Sequence, residues 1–479
     1  MSQRVIMHGP GVAAPIGRTA VKAQHTSYVW WVAAMAALGG LLFGDDWVVI
    51  GGARQFYEQY FHLTSAALVG WANSCALLGC LAGSLAAGTL AERFGRRPML
   101  LGAAVLFAVS SALTGLSFSF IAFIFWRILG GVAIGVTSNV SPLFIAEISP
   151  AAIRGRLVSL NQFAIVVGIL VAQIVNWLIA RPIPAGITEA QALTSWNVQY
   201  GWRWMFLAVV VPSVVFTAAA FFLPESPRWL LARGREERAR DILDRIGGPA
   251  YARNEVTEID ASLRQDAQGK SSIRDLLQPG LLGVLLVAIG LAVLQQWTGI
   301  NILFNYAAEV YKSAGYGTND IFLNIVITGL INLLFTVAAM FLVDTLGRRK
   351  LMLLGCAGIA VSHLLCAVAY KGHWPGAVVL LLTLSAIACY AMTLAPVTWV
   401  LIAEIFPNRV RSHGVSISVS ALWIASFLLT YTFPLMNGAL GTGGVFVTYG
   451  LICAAGLPLV FFGVPETKGR SLEQIGGAE

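Results

Sequence analysis

The sequence predicts an all-α membrane protein of twelve transmembrane helices, arranged as two six-helix halves joined by a short helical linker. Three observations lead there. Of 479 residues, 57% are hydrophobic and only 11% charged, with a mean hydropathy of +0.75; a soluble chain of this length carries roughly a quarter charged residues. Apolar runs of about 20 residues, long enough to span a hydrocarbon core, recur twelve times. The second half also repeats the polar landmarks of the first at nearly one period.

The runs fall at 28–52, 65–91, 98–117, 119–143, 157–180, 203–223, 281–311, 319–343, 350–370, 376–403, 413–437 and 444–464. They are rich in Leu, Val, Ala, Gly and aromatics without two-residue alternation, which favours helices over a barrel. Helix 1 carries Asp45 and Asp46 in Gly39-Gly-Leu-Leu-Phe-Gly-Asp-Asp-Trp-Val-Val-Ile-Gly-Gly52. Acids inside a hydrocarbon-length helix are expensive to bury and usually face a partner or a water-filled path. Helix 4 carries Arg127, helix 5 Asn161 and Gln162, and helix 7 Gln295, Gln296 and Asn301 with Gly299 beside the last. Helix 8 adds Asn332, helix 9 His363, helix 10 Trp399 and helix 11 Trp423.

Between helices 6 and 7 lies the one long polar stretch. In Arg233–Ile246, charges surround Ala239, Ile242, Leu243 and Ile246 at helical spacing, the pattern of a short amphipathic helix; a disordered linker is the alternative. The chain thus divides into an N-tail (1–27), a first half (28–223), a linker (224–280), a second half (281–464) and a C-tail (465–479).

The net charge of +8 is a topology signal and not a sign of nucleic-acid binding. With both termini in the cytoplasm, 25 of the 31 Lys and Arg lie on the cytoplasmic side. Arg54, Arg181, Arg203, Lys312 and Lys371 lie outside, and Arg127 is the one base within the bundle. That asymmetry is the positive-inside rule. The first 27 residues show no apolar stretch with a cleavage site, so no secretory signal is expected. The six cysteines fall inside helices with no Cys-x-x-Cys pair and read as small packing residues.

The halves repeat each other. Glu92-Arg-Phe-Gly-Arg-Arg97 matches Asp344-Thr-Leu-Gly-Arg-Arg349. Ala146-Glu-Ile-Ser-Pro-Ala-Ala-Ile-Arg154 matches Ala403-Glu-Ile-Phe-Pro-Asn-Arg-Val-Arg411, with Glu and Arg seven apart in both. Pro224-Glu-Ser-Pro-Arg228 matches Pro465-Glu-Thr-Lys-Gly-Arg470. The offsets are 252, 257 and 241 residues. Internal duplication of a six-helix unit marks secondary transporters, whose site lies between the repeats near mid-membrane.

These motifs, with Gln295-Gln-Trp-Thr-Gly-Ile-Asn301, resemble those of the sugar porter family of the major facilitator superfamily, nearest to its bacterial xylose and glucose proton symporters. The resemblance covers roughly residues 28–475. It implies the major facilitator fold, and sugar contacts at the positions of Gln162, Gln295, Gln296, Asn301, Asn332, Trp399 and Trp423. The residue types agree: amides both donate to and accept from hydroxyls, and an indole offers an apolar face to a sugar ring. Gln295 and Asn301 fall on different faces of an ideal helix, and Gly299 permits the local unwinding that unites them. Asn305 stands where the family usually has Tyr, Ile169 and Leu422 where its xylose symporters have Gln, and Ala395 where it has Gly, so the choice of sugar is open.

Two further sets of residues complete the expectation. Asp46 lies about 10 Å and Arg127 about 12 Å from the outer ends of their predicted helices at 1.5 Å per residue. They are placed as proton carrier and partner, roles the resemblance also implies; a static ion pair orienting two helices is the alternative. Asp45 stands where the family usually has an aromatic residue and is left without a role. At the cytoplasmic end, Arg93, Glu147, Arg154, Arg349, Glu404 and Arg411 are expected to form a breakable latch across the halves when the inner mouth is shut. Lone His363 reads as a packed residue, and Glu309 as solvated near the interface.

The expected activity is import of a pentose or hexose with a proton by alternating access, with proton-independent facilitation of a sugar or polyol as the runner-up. A nutrient sensor on the same fold needs a longer signalling tail than the roughly 15 residues after helix 12. An enzyme is disfavoured because no helix carries paired histidines with an acid or a nucleophile–base spacing. No cofactor or metal is called for; the partners are a sugar, a proton and the bilayer of the plasma (inner) membrane, with the chain acting as a monomer.

Overall fold

Hydrocarbon thickness dictates the length of a spanning helix, and apolar helices of that length dominate the computed structural model, which describes residues 23–183, 188–268, 272–407 and 410–464. The tail up to residue 22 and the segment from 465, with its Pro-Glu-Thr-Lys-Gly-Arg motif, lie outside the described residues. The first half contains α1 (Ala23–Tyr60), α2 (Ala66–Phe94), α3 (Arg96–Gly115), α4 (Phe120–Ile148), α5 (Arg154–Ile179) and α6 (Ala190–Phe222). The second contains α7 (Pro279–Asn305, continued as Ala307–Ser313), α8 (Thr318–Leu346), α9 (Arg348–Lys371) and α10 (Gly376–Ile402). The last helical stretch, Arg411–Gly463, has 53 residues, about 80 Å at 1.5 Å per residue and too long for one crossing. It breaks at Gly441 (φ 68°, ψ 166°) into α11 (411–440) and α12 (442–463), which brings the crossings to twelve.

In the first half α1 packs on α5, and α2 and α3 on α4; in the second α7 and α9 pack on α12 and α9 on α10. The halves meet along α2–α11 and α5–α8. One apolar core draws mainly on the first half and a second mainly on the second half. Phe118, Ile121 and Phe462 are more than four-fifths exposed, as side chains facing lipid are.

The linker is helical, with segments Pro227–Ala232, Glu236–Gly247 and Pro249–Gln268. Its expected apolar stripe is real: Ala239, Leu243 and Ile246 are buried and Ile242 half-buried. Leu243 and Ile246 join the first-half core, so the linker is anchored there. The bundle end touching it is called the linker end, and the opposite end the far end. Glu225 explains one repeated motif. Its Oε1 accepts from the backbone N–H of Arg96 (2.9 Å), Arg97 (3.3 Å) and Ser226 (2.8 Å), placing an anion on the unsatisfied N-terminus of α3.

Three sequence expectations need correction. α1 continues two turns beyond residue 52, because Phe56 and Tyr57 are buried and Arg54 pairs with Glu58 at i,i+4 (2.5 Å). α6 begins before residue 203, through a π-helical turn at Asn197–Gly201 and Trp202, which packs on Tyr57 and Phe123. Arg54 and Arg203 therefore join Arg127 inside the bundle. Arg203 is held by donating Nη1 to the carbonyls of Gly115 (2.9 Å) and Ser117 (2.6 Å) at the end of α3.

Candidate functional site

Asp46 and Arg127 meet. Nη1 of Arg127 donates to Oδ1 of Asp46 at 2.5 Å, and the residues are 4% and 3% exposed respectively. The guanidinium also lies 5.4 Å from the Phe206 ring centroid. Because α1 runs on to Tyr60, Asp46 lies fourteen residues, roughly 21 Å, from its end and not about 10 Å. A charge pair so enclosed is held strongly in low dielectric, and removing one partner leaves an uncompensated buried charge. Asp45 is 5% exposed and makes no hydrogen bond or ion pair among the described residues.

The amides gather at a break in α7. Gly299 adopts φ +81°, with the Tyr449 ring where a β-carbon would go, so both conformation and space require glycine. The helix stops at Trp297 and restarts at Ile300. Across the break, Nδ2 of Asn301 donates to Oε1 of Gln296. Nε2 of Gln295 donates to the Tyr390 hydroxyl at 2.6 Å, while its Oε1 has no partner among the described residues. Gln295, Gln296 and Asn301 are all buried. Trp423 is buried, with its indole N–H unpartnered among the described residues and its rings 5.9 Å from Phe43 and 6.3 Å from Trp47. Asn332 is buried, Gln162 half-buried and Trp399 exposed; among the described residues these three make no hydrogen bond with the cluster. Of the departures, Ile169 and Ala395 pack in the second-half core and Leu422 in the first. His363 is packed as expected, its Nε2 2.7 Å from the Thr298 carbonyl.

At the far end an ion pair crosses between the halves. Arg54 of α1 donates Nη2 to Oε2 of Glu309 on the α7 continuation at 2.6 Å and lies 4.3 Å over the Tyr306 ring. Oε1 of Glu309 accepts from Asn437 of α11 at the far end. Nearby, Phe56 stacks on Phe322 of α8 (6.2 Å). Glu309 is thus paired, not merely solvated. Glu309→Gln is expected to loosen this seal: a part-exposed pair contributes about 1 kcal/mol, so the population open at the far end rises roughly fivefold. Spin labels at exposed His62 and Lys312 would report it as growth of the longer-distance component; an unchanged distance distribution would show that the pair does not hold the end shut.

At the linker end the residues expected to latch the halves are braced within their own halves. Glu147 pairs with Arg96, through Nε (2.9 Å) and Nη2 (2.8 Å), and Glu404 approaches Arg348 (3.7 Å). Both pairs stay inside one half. Arg93 is exposed over the Phe94 ring, and Arg349 donates to the Phe461 carbonyl. Arg154 and Arg411 each fold back onto a carbonyl five residues earlier, Ser149 and Phe406, at 3.0–3.3 Å. The repeated Glu-to-Arg spacing therefore builds the same brace twice, at the ends of α4 and α10. The reason is local: α3 and α9 start at Arg96 and Arg348, which places those two guanidiniums, not Arg93 and Arg349, over the glutamates. Beside Arg154, burial holds the Glu255 carboxyl of the linker above its ordinary range, with Glu258 adding to this and Tyr251 and Arg154 opposing it.

Sequence reasoning missed Tyr390, Phe43, Trp47 and Arg54. Phe43 and Trp47 were findable, lying one turn apart on either side of the two aspartates. Tyr390 carries no local signal, because its partner lies 95 residues away, and Arg54, though paired locally with Glu58, reaches across the halves to a residue 255 positions away.

Comparison with known proteins agrees with this fold. A family model described as "Sugar (and other) transporter" matches residues 32–478. The D-xylose-proton symporter of Escherichia coli (strain K12) is 38% identical over 482 residues, covering 94% of this chain and 96% of that protein. The glucose transport protein of Synechocystis sp. (strain ATCC 27184 / PCC 6803 / Kazusa) is 38% identical over 466 residues, covering 94% and 97%. A partially occluded inward-open structure of the E. coli xylose transporter XylE superposes with a TM-score of 0.82 at 36% identity, covering 93% of this chain and 100% of that one.

Proposed function

The chain belongs to the sugar transporter family of the major facilitator superfamily, and from that premise we propose that it imports a monosaccharide together with a proton by alternating access. It is a transporter and not an enzyme, and needs no cofactor; the proton is the coupling ion. One observation carries the reading. α1 holds the buried Asp46–Arg127 pair and, a turn or less away, Phe43 and Trp47, which pack on Trp423 beside the broken α7. Proton site and cargo site thus share one helix.

Gln162, Gln295, Gln296, Asn301, Asn332, Trp399 and Trp423 are assigned to the sugar, a pentose or hexose. Asp46 takes up the proton, which cancels its charge and frees Arg127, and gives it up when the pair re-forms. The distribution of Lys and Arg puts the linker end and both termini in the cytoplasm, so the arrangement is the one closed to the outside. In the transport cycle, residues 28–223 and 281–464 rock as two units about the site, with 224–280 bridging them. The linker-end braces keep helices together within each half, and a single chain suffices for transport. A proton-independent facilitator is the weaker reading, since it leaves the buried pair without a use.

The test is a pH electrode in de-energised cells expressing the protein. Adding D-xylose or D-glucose is expected to alkalinise the medium, because proton and sugar enter together. Sugar uptake with no pH change would leave facilitation as the function.

A further inference from the structure

A cavity at the far end, where α5 hands over to α6, has no part in the cycle above. It encloses about 210 Å³, and Arg181, Gln191, Ser195, Trp196 and Asn197 are among the residues lining it. Asn197 is buried and ties the loop between the two helices. Its Oδ1 accepts from the Arg181 backbone N–H (2.9 Å), and its Nδ2 donates to the Arg181 carbonyl (2.8 Å). With its backbone held on both sides, Arg181 lays its guanidinium 4.3 Å over the Trp196 ring, a stacking that steadies a long side chain.

The lining is rich in donors and carries no acid among the described residues. The Arg181 guanidinium makes no ion pair or hydrogen bond among them. Gln191 accepts the Thr188 backbone N–H on its Oε1 (2.9 Å), which leaves its amide hydrogens to donate. Ser195 accepts the Val198 backbone N–H on its hydroxyl oxygen (3.5 Å) and keeps its own proton to give. A planar cationic fork beside two neutral donors suits the oxygens of a phosphate.

Trp196 also heads a lipid-facing stripe. Tyr200, Trp204, Val211, Val215 and Phe222 follow it along α6 at spacings of four and seven, and all are exposed; helical periodicity puts them on one face. Trp177 and Leu178 in the last turn of α5 are exposed as well. Exposed Trp and Tyr mark the level of lipid headgroups, so the cavity sits at phosphate depth and the stripe at the depth of the acyl chains.

We propose that Arg181, with Gln191 and Ser195, binds the phosphate of a phospholipid headgroup in the leaflet at the far end, with an acyl chain lying along the α6 stripe. A free phosphate shares the headgroup chemistry but has no chain to bury, so the lipid is the occupant that uses both features. α5 and α6 belong to the first half, and the lipid tethers that half to its leaflet.

The experiment is native mass spectrometry of the full-length protein in detergent, with dioleoylphosphatidylglycerol, dioleoylglycerol or inorganic phosphate added, alongside thermal melting. Phosphatidylglycerol is expected to bind the wild type and raise its melting temperature, and the other two are not. Arg181→Gln is expected to weaken the first bound phosphatidylglycerol about five- to tenfold. Should that variant melt lower than the wild type without lipid, Ser195→Ala replaces it, with an expected loss of about twofold to fivefold. Wild-type affinity for phosphatidylglycerol in the variant overturns the proposal. So does equal binding of dioleoylglycerol, which would mean that the phosphate is not recognised, or an equal melting shift with inorganic phosphate, which would make the occupant a small anion.

Discussion

Asp46→Asn is expected to abolish accumulation of sugar against its gradient while leaving sugar-for-sugar exchange in place. In membrane vesicles with an imposed potential, a symporter moving one charge gains about 2.3 kcal/mol per 100 mV, close to a 50-fold concentration ratio at 1.4 kcal/mol per tenfold. The variant should level off at a ratio of about one. Asparagine preserves the shape of the carboxyl and a hydrogen bond from Arg127, but it cannot take up a proton. Exchange requires only the rocking of the loaded carrier and reports that the fold survives. Undiminished accumulation would falsify the assignment of Asp46 as proton carrier and return the Asp46–Arg127 pair to a structural role. Asp46→Asn leaves the Arg127 charge buried without a counter-ion, at a cost of roughly 3–5 kcal/mol of stability, and the surviving exchange is the control for that loss.

Gln296→Ala is expected to weaken sugar binding about 10- to 100-fold, or about 1.4–2.8 kcal/mol. Gln296 sits directly before the α7 break and accepts a hydrogen bond from Asn301. The truncation deletes one amide and releases a second. A lost hydrogen bond alone is worth about 1 kcal/mol, and a buried group left unpaired costs more. Thermal-shift titration with D-xylose and D-glucose measures the effect, with the unliganded melting temperature as the control for folding. Wild-type affinity in this variant would mean that the amides hold the α7 break in shape and do not touch the sugar.

Much of this was legible along the chain, for reasons that are physical and local. Charge depletion and runs of hydrocarbon length announce spanning helices, because a bilayer forbids unpaired backbone. Lys and Arg on one side suggest orientation, and Gly299 predicts a broken helix because no other residue is at ease at a positive φ there. Asp46 and Arg127 stand out because charge within an apolar run is expensive. Helix ends were less legible. α1 overran its expected end by two turns, since Arg54 and Glu58 look like loop residues until they pair with each other and with Glu309.

The sequence alone therefore determined the kind of protein: the membrane crossings, the duplicated halves, and the amides and the acid set within apolar helices. Each of those follows from what a residue does to its own helix or to its solvation. The tertiary structure decided which side chains meet. It gave Glu147 to Arg96 and not to Arg93, put Arg54 across the far end onto Glu309, and set Tyr390 on Gln295. Pairings of that kind depend on the rotation and stagger of helices far apart in the chain, and no local rule in the sequence sets them.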